Sequence, residues 1–458
     1  MAEGAASTEQ WSSRLGFMLA TVGFSVGLGN IWRFPYLTGE NGGSAFLFVY
    51  IACAFGIGLP LLIAEFTIGR RGRRSASGSI RAVATEAGAS QRWGAVGTLA
   101  IICVFIILSY YSVITGWTFD YFLRAVSNSF ANIDRNTSDA MFGGLMDDPR
   151  RLLFWNTVVH VLVYLVVRQG VQAGIERANK ILMPALFVSL IVMVLYAAVA
   201  GDITSAAQFL LEPDFSKVGF RTMMVATGQA FFSIGIGMGA LITFGAYMPK
   251  DYSIPGSAST LIIIDTSVAI LAGFAIFPLV FAFGLEPSSG AGLLFQTLPL
   301  AFGHMPGGHF FGAVFFVLLI AAALSSCIGA AEAVVAWADE HWGISRNKGI
   351  LLTVGGAWLL GILTILSLGD WSDVYPLDFI PAFAHRTIFD SLDFMAANIL
   401  LLLGGLLTAV FFGWLVPRQL KLEEIGIRDG ALFGFWRLMI RFVVPPILLI
   451  VLVMGITE

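Results

Sequence analysis

Long apolar runs separated by short polar segments dominate this chain, and eleven of them can cross about 30 Å of hydrocarbon at about 1.5 Å per helical residue. They fall near 14–38, 43–69, 94–124, 152–168, 178–200, 220–247, 257–284, 310–338, 349–368, 391–416 and 433–455. The predicted fold is an all-α polytopic membrane protein with 11 transmembrane helices. Two runs, the first and the sixth, are interrupted by glycine, at Phe24-Ser25-Val26-Gly27-Leu28-Gly29-Asn30 and Ser233-Ile234-Gly235-Ile236-Gly237-Met238-Gly239. Lipid cannot hydrogen-bond the backbone groups that an unwound helix releases, so such a break persists only where it lines a protein cavity. The spacing of the two breaks predicts a 5+5 inverted repeat with broken helices 1 and 6. The repeats lie near 14–200 and 220–416, an extra helix near 433–455, and one transmembrane domain covers 1–458.

Composition agrees: 57% of residues are hydrophobic and 12% charged, against about 25% charged in soluble domains. A net charge of −3 gives no sign of nucleic acid. Cys53, Cys103 and Cys327 sit inside apolar runs without CxxC spacing, so neither a disulfide framework nor a zinc site is expected. The first apolar run continues into a full span, so no removable signal peptide is expected. With the N-terminus inside, cytoplasmic loops carry 17 Lys and Arg and external loops 7. That asymmetry predicts a cytoplasmic N-terminus and, after eleven spans, an external C-terminus. Residues 127–150 and 285–309 read as structured external segments, and 418–431 as a short helix on the cytoplasmic surface.

The breaks carry chemistry. Half-helix N-termini present amide donors and a positive dipole end to an anion, while carbonyls at the opposite ends can coordinate Na⁺ or an ammonium. A zwitterionic amino acid satisfies both. An enzyme would need a nucleophile with a base, or a metal cluster. The five histidines are scattered and neither HExxH nor GxSxG occurs. A primary pump lacks its phosphate-cradling loop. A channel stays open as an alternative, because glycine breaks can line a pore.

Arg14-Leu15-Gly16-Phe17, Val26-Gly27-Leu28-Gly29-Asn30-Ile31-Trp32-Arg33-Phe34-Pro35-Tyr36 and Glu40-Asn41-Gly42-Gly43 resemble the first-span signature of the neurotransmitter:sodium symporter family. Further matches are Gly228-Gln229-Ala230-Phe231-Phe232-Ser233, Leu324-Ser325-Ser326 and Leu392-Asp393-Phe394. The resemblance implies the LeuT fold and sodium-coupled amino-acid symport across a bacterial inner membrane, with two Na⁺ ions. One ion would be held by Ser25, Asn30, Ser233, Asp265 and the substrate carboxylate. The second would lie between Gly23, Val26, Ala322, Ser325 and Ser326. Without the resemblance, helix-to-helix hydrogen bonding is the plainer reading of Ser325 and Ser326; with it, ion binding is favoured.

By the same resemblance the substrate carboxylate meets the amides of Leu28 and Gly29 and the Tyr111 hydroxyl, and the amino group meets carbonyls of Ser25, Phe232 and Ser233. The side-chain subsite is implied at Val26, Ile107, Tyr111, Phe232, Gly235, Met238, Ser326 and Ala330. Gly27 stands where monoamine members place an aspartate, so the substrate is expected to bring its own carboxylate. Small Gly235 and Ala330 with adaptable Met238 favour a large hydrophobic or aromatic L-amino acid, unless the two small residues serve helix packing. Another carboxylate-bearing amine is the alternative substrate.

Intramembrane acids are costly unless paired or functional. Asp265 stands where many relatives carry asparagine, in the region where chloride-dependent members bind their anion near Tyr50, Gln229 and Ser233. Chloride is therefore expected not to be required, with Asp265 a candidate for proton uptake on the return step. Ala269 leaves vacant a position where a bacterial relative carries glutamate. Glu65 and Glu332 are read as holding structural networks. Arg33 and Asp393 resemble the family's outer ion pair, with Tyr111 and Phe232 as a lid. On the inner side Trp11 is present, but Thr8 replaces the usual arginine, which puts a salt bridge to Asp339 or Glu340 in doubt. Tyr247 and Glu332 then carry more of that closure. Gly174 and Pro184 match a family spacing associated with unwinding of span five. The family's usual twelfth span is missing, so a monomer or weak dimer surrounded by membrane lipid is expected.

Overall fold

A computed structural model describes residues 9–284, 290 and 292–457. Thr8 and the first part of the expected external segment 285–309 lie outside the described residues. Among the described residues the regular elements are all helical.

Helix α1 (Arg14–Ser25) starts where the Ser13 hydroxyl accepts the Gly16 N–H at 3.0 Å. It stops because Val26 adopts an extended conformation, φ −75° and ψ 98°. The chain resumes as α2 (Gly29–Glu40), bent by 50° from α1. Helix α3 (Ser44–Gly72) widens into a π turn at Ala54–Gly58 just before Pro60, which has no N–H to give the helix ladder. Short α4 (Ala76–Glu86) leads to α5 (Gln91–Val126), then α6 (Arg135–Met146) and α7 (Pro149–Val167). Helix α8 (Val171–Ala200) opens with a π turn containing Gly174 and carries Pro184 inside, and α9 (Ile203–Leu211) follows.

The sixth span is two short helices, α10 (Phe220–Ile234) and α11 (Ala240–Ala246). Between them Gly235, Gly237 and Gly239 take φ of +80°, +83° and +74°, which side chains disfavour. The chain continues through α12 (Ile254–Ala282), α13 (Leu298–His304), α14 (Gly308–Trp342), α15 (Arg346–Leu368), α16 (Ile388–Leu415), α17 (Arg418–Ile425) and α18 (Ala431–Thr457).

Nine of the described helices are long and apolar enough to span a membrane, or ten if α1 and α2 count as one bent span. The expected sixth span does not pass that test, because its glycines divide it into helices of 15 and 7 residues. The centre of the bundle is α5, whose most apolar window is 78% buried, against 28% for the peripheral α18. Helix α14 packs against both α5 and α1, and α8 packs against α14 and α1, so the first broken segment lies in the interior.

The segment expected as an external cap folds into α6, whose Ser138 hydroxyl donates to the Gln296 carbonyl at 2.7 Å. Of segment 418–431, the expected surface helix runs over Arg418–Ile425, ended by Gly426 at φ +74°, and Ala431 already begins α18. That helix does more than lie on a surface, since Lys421 and Glu424 are buried.

Candidate functional site

The two broken segments meet each other. The Ser25 hydroxyl donates to the Ile234 carbonyl at 2.7 Å, and Gln229 Nε2 donates to the Gly29 carbonyl at 2.7 Å. Asn30 Nδ2 reaches Ser233 Oγ at 2.8 Å, so each break satisfies backbone or side-chain groups released by the other.

Asp265, from α12, closes this junction. Its Oδ1 accepts from Asn30 Nδ2 at 2.8 Å, and its Oδ2 accepts from Ser233 Oγ at 2.9 Å and Tyr50 Oη at 3.0 Å. The carboxyl is fully buried, and among the described residues no Lys, Arg or His lies within 4.0 Å of it. An unpaired buried carboxylate is costly, so such a group calls for a cation or a proton. Of the implied first ion set, Asn30, Ser233 and Asp265 therefore form one hydrogen-bonded cluster, while Ser25 bonds the carbonyl of Ile234, next to Ser233.

The residues of the implied second set also converge. Ser326 Oγ donates to the carbonyls of Ala322 at 3.1 Å and Gly23 at 3.4 Å, while Ser325 Oγ donates to Ala321 at 2.8 Å and Ala322 at 2.9 Å. The helix-bonding and ion-binding readings of these serines thus use the same oxygens. Asn179 of α8 was not anticipated from the sequence. Its Oδ1 is buried without a donor and would be 2.0 Å from a Cβ placed on Gly23. No local pattern marks it, because its role depends on α8 crossing α1.

Gly27 keeps the first break open for two hydroxyls. A Cβ there would lie 2.5 Å from Tyr111 Oη and 2.6 Å from Ser326 Oγ. The Leu28 N–H donates to Tyr111 Oη at 2.8 Å, a free amide end facing a polar group at the break.

Beside these groups is a cavity of 40 Å³ that includes Ile107, Tyr111, Phe232, Met238 and Ala330 in its lining. Gly235 and Ser326 line it too, whereas Val26 does not. Phe24 is a lining residue that the sequence did not suggest. Its ring occupies the space beside Gly235, where a Cβ would approach Phe24 Cε1 to 2.4 Å. Small size at Gly235 therefore serves packing of Phe24 as well as the cavity. A second cavity of 190 Å³ lies beyond Tyr111 and Phe232, which line both spaces and partition them.

Arg33 and Asp393 line that second cavity. No ion pair within 4.0 Å joins them; Arg33 Cζ instead sits 4.5 Å from the Phe232 ring centroid. The opposite end is closed. Trp11 is buried with Nε1 donating to the Phe244 carbonyl at 3.1 Å, and Tyr247 Oη donates to Glu332 Oε1 at 3.0 Å. Arg346 pairs with Glu332 at 2.6 Å and Glu9 at 3.4 Å. Glu340 instead accepts the Ser75 N–H at 2.8 Å. Arg346 and Glu9 escaped the sequence reading, which sought the inner pair at Thr8 and Asp339 or Glu340. Glu65 Oε1 accepts the Gly237 N–H at 2.8 Å and so fixes the second break, a structural network as expected.

Comparison with known proteins adds four findings. The model of the sodium:neurotransmitter symporter family matches residues 8–138 and 146–458. An uncharacterized sodium-dependent transporter of Bacillus subtilis (strain 168), YhdH, is 36% identical over 450 residues, 96% of this chain and 96% of its own. A similarly described Haemophilus influenzae protein is 34% identical over 456 residues, 97% of each. Among solved structures, MhsT in complex with L-phenylalanine has a TM-score of 0.90 and 41% identity, covering 98% of this chain and 100% of its own.

Proposed function

The chain belongs to the sodium:neurotransmitter symporter family, a family of transporters rather than enzymes, and we propose that it is a sodium-coupled symporter of large hydrophobic or aromatic L-amino acids. The observation that carries this reading is Asp265, a buried carboxylate with three hydrogen-bond donors and, among the described residues, no basic partner where the two helix breaks meet. A sodium ion held by Ser25, Asn30, Ser233 and Asp265 supplies the missing positive charge. A second ion is assigned to Gly23, Val26, Ala322, Ser325 and Ser326. Both sets offer hard oxygen ligands, suited to an alkali cation.

The substrate carboxylate is assigned to the Leu28 and Gly29 amides beside Tyr111, where Gly27 leaves room and contributes no charge. Its side chain extends between Ile107, Phe232, Met238 and Ala330. The phenylalanine bound to MhsT supports an apolar substrate for a chain of such similar fold. Since the cavity is small, a large side chain requires Phe24 or Met238 to move.

Alternating access is supported by the asymmetry of the two ends. A cavity reaches outward past Phe232, while Trp11, Tyr247, Glu332 and Arg346 close the inner end. Counting the broken sixth segment as a span gives eleven helices in one domain, arranged as two inverted repeats and one extra helix. The Lys and Arg distribution supports a cytoplasmic N-terminus and external C-terminus in a bacterial inner membrane. Asp265 supports transport without chloride. The transporting unit is assigned as a monomer or weak dimer.

Uptake into proteoliposomes tests this function. An inward sodium gradient should drive saturable uptake of a labelled aromatic amino acid, competed by large apolar amino acids and unchanged when gluconate replaces chloride. Competition mainly by small or charged amino acids would overturn the substrate assignment. Loss of transport in gluconate would overturn chloride independence, and unitary currents would favour a channel.

A further inference from the structure

At the end of the bundle that carries Trp11, the turn joining α16 to α17 and α18 gathers cations that the transport site does not use. The nearby acids are already engaged. Glu424 pairs with Arg70 at 2.6 Å and Arg71 at 3.2 Å, Glu423 with Arg71 at 3.3 Å, and Asp429 with Arg418. Among the described residues, Lys421, Arg437 and Arg441 have no carboxylate within 4.0 Å.

These three are held in place rather than dispersed in water. Lys421 is only 2% exposed; its ammonium donates to the Gly413 carbonyl at 2.9 Å and lies 5.5 Å from the Phe412 ring centroid. Arg437 and Arg441 are one turn apart on α18, and the Nε of each is buried with no acceptor. The Arg441 guanidinium lies 4.5 Å from the Trp414 ring centroid, while Trp414 Nε1 donates to the Arg441 carbonyl at 3.3 Å. Burial, followed by the charges of Arg441 and Arg437, pushes the Lys421 ammonium down to about 7. Like charges repel, and two guanidinium donors lack acceptors, so the group is incomplete without an anion.

The surroundings say which kind of anion. Leu438, Phe442 and Trp414 are exposed large apolar side chains beside the cations, on helices that traverse the membrane. Guanidinium donors match phosphate oxygens, and exposed apolar side chains next to them match acyl chains. We propose that Lys421, Arg437 and Arg441 form a binding site for the phosphodiester headgroup of an anionic phospholipid in the leaflet on the N-terminal side. Its chains then lie along Leu438 and Phe442. Occupancy would also steady α17, whose Glu424 holds Arg70 and, through it, the Tyr252 carbonyl at 2.6 Å.

Native mass spectrometry of the full chain, titrated separately with phosphatidylglycerol and phosphatidylcholine, tests this site. The expected result is a preference for phosphatidylglycerol of about fivefold or more, abolished in the Arg437→Gln/Arg441→Gln protein and retained when Arg92, an exposed cation in the first turn of α5, is changed in Arg92→Gln. Arg441→Gln alone should lose part of it, which keeps the test decisive if the double variant does not fold. Equal binding of the two lipids, or an unchanged preference in folded Arg441→Gln and double variants, would overturn the proposal. Displacement of the bound lipid by inorganic phosphate would assign the site to free phosphate and overturn the lipid assignment.

Discussion

Asn30 and Asp265, 235 positions apart in sequence, are joined at 2.8 Å by an amide-to-carboxylate hydrogen bond in the interior of the bundle. The bond ties the first helix break to α12 and aims a buried acid at the junction of both breaks. Replacing Asp265 by Asn keeps the shape and removes the charge. Sodium affinity, measured by sodium titration of substrate binding, should fall at least about tenfold, equivalent to ~1.4 kcal/mol. Chloride should restore part of the loss in the variant while leaving the unmodified protein unaffected.

The second break depends on Glu65, whose carboxylate accepts the Gly237 N–H at 2.8 Å. Glu65→Ala leaves that buried donor unpaired, at a cost of about 1–3 kcal/mol, and should lower the melting temperature. Glu65→Gln retains an acceptor and should lie close to the unmodified protein. Equal destabilisation by both would show that charge, rather than the hydrogen bond, is what matters.

Gly235 combines φ +80° with a 2.4 Å approach of its would-be Cβ to Phe24. Gly235→Ala should therefore destabilise by roughly 1–2 kcal/mol from backbone conformation alone, before any clash is counted. Adding Phe24→Ala should recover the steric part only. Phe24→Ala by itself should enlarge the cavity and shift competition toward bulkier amino acids, measured by inhibition constants across an apolar series.

Much of this site was legible because its residues are contiguous in unusual strings. The first break and the Gly235 to Gly239 stretch stand out within apolar runs, and Asp265 stands out as an acid in a span. Eleven apolar runs likewise suggested the bundle, although the sixth proved to be two helices too short to count individually. What escaped is what tertiary crossing creates. Asn179 matters only because α8 passes Gly23, and Phe24 only because Gly235 leaves room for its ring. Lys421 reads as an exposed charge on a surface helix, yet packing of α16 and α18 buries it.

In the proposed function the Trp11 end is the inner gate, and there Arg346 joins Glu332 at 2.6 Å and Glu9 at 3.4 Å. Arg346→Gln leaves Glu332 buried without its cation, a change of the kind that costs about 3–5 kcal/mol in the closed arrangement. The inner end should open more often. A cysteine introduced on the inner pathway beside Trp11 should then react faster with a membrane-impermeant thiol reagent applied from that side, while sodium-driven uptake falls. An unchanged labelling rate would mean that Trp11 and Tyr247 suffice for closure.

Lys421 predicts a pH dependence of stability. Its folded-state value near 7, set by burial and then by Arg441 and Arg437, lies below the ~10.4 of an unfolded lysine. Between these values the unfolded chain binds the extra proton, so stability rises as pH increases from about 7 toward 10. Below about 7 both states are protonated and this contribution stays flat. Lys421→Met should remove the rise, read as melting temperature against pH in a zwitterionic detergent.

The sodium dependence of labelled L-phenylalanine binding to the purified protein tests the central claim most directly, because the proposed ion and substrate share one junction. The expected result is saturable binding in sodium that falls to background when potassium replaces it, with apparent affinity rising as sodium increases. Saturable binding of equal affinity in sodium and potassium would contradict the assignment of Asn30, Ser233 and Asp265 to a coupled ion.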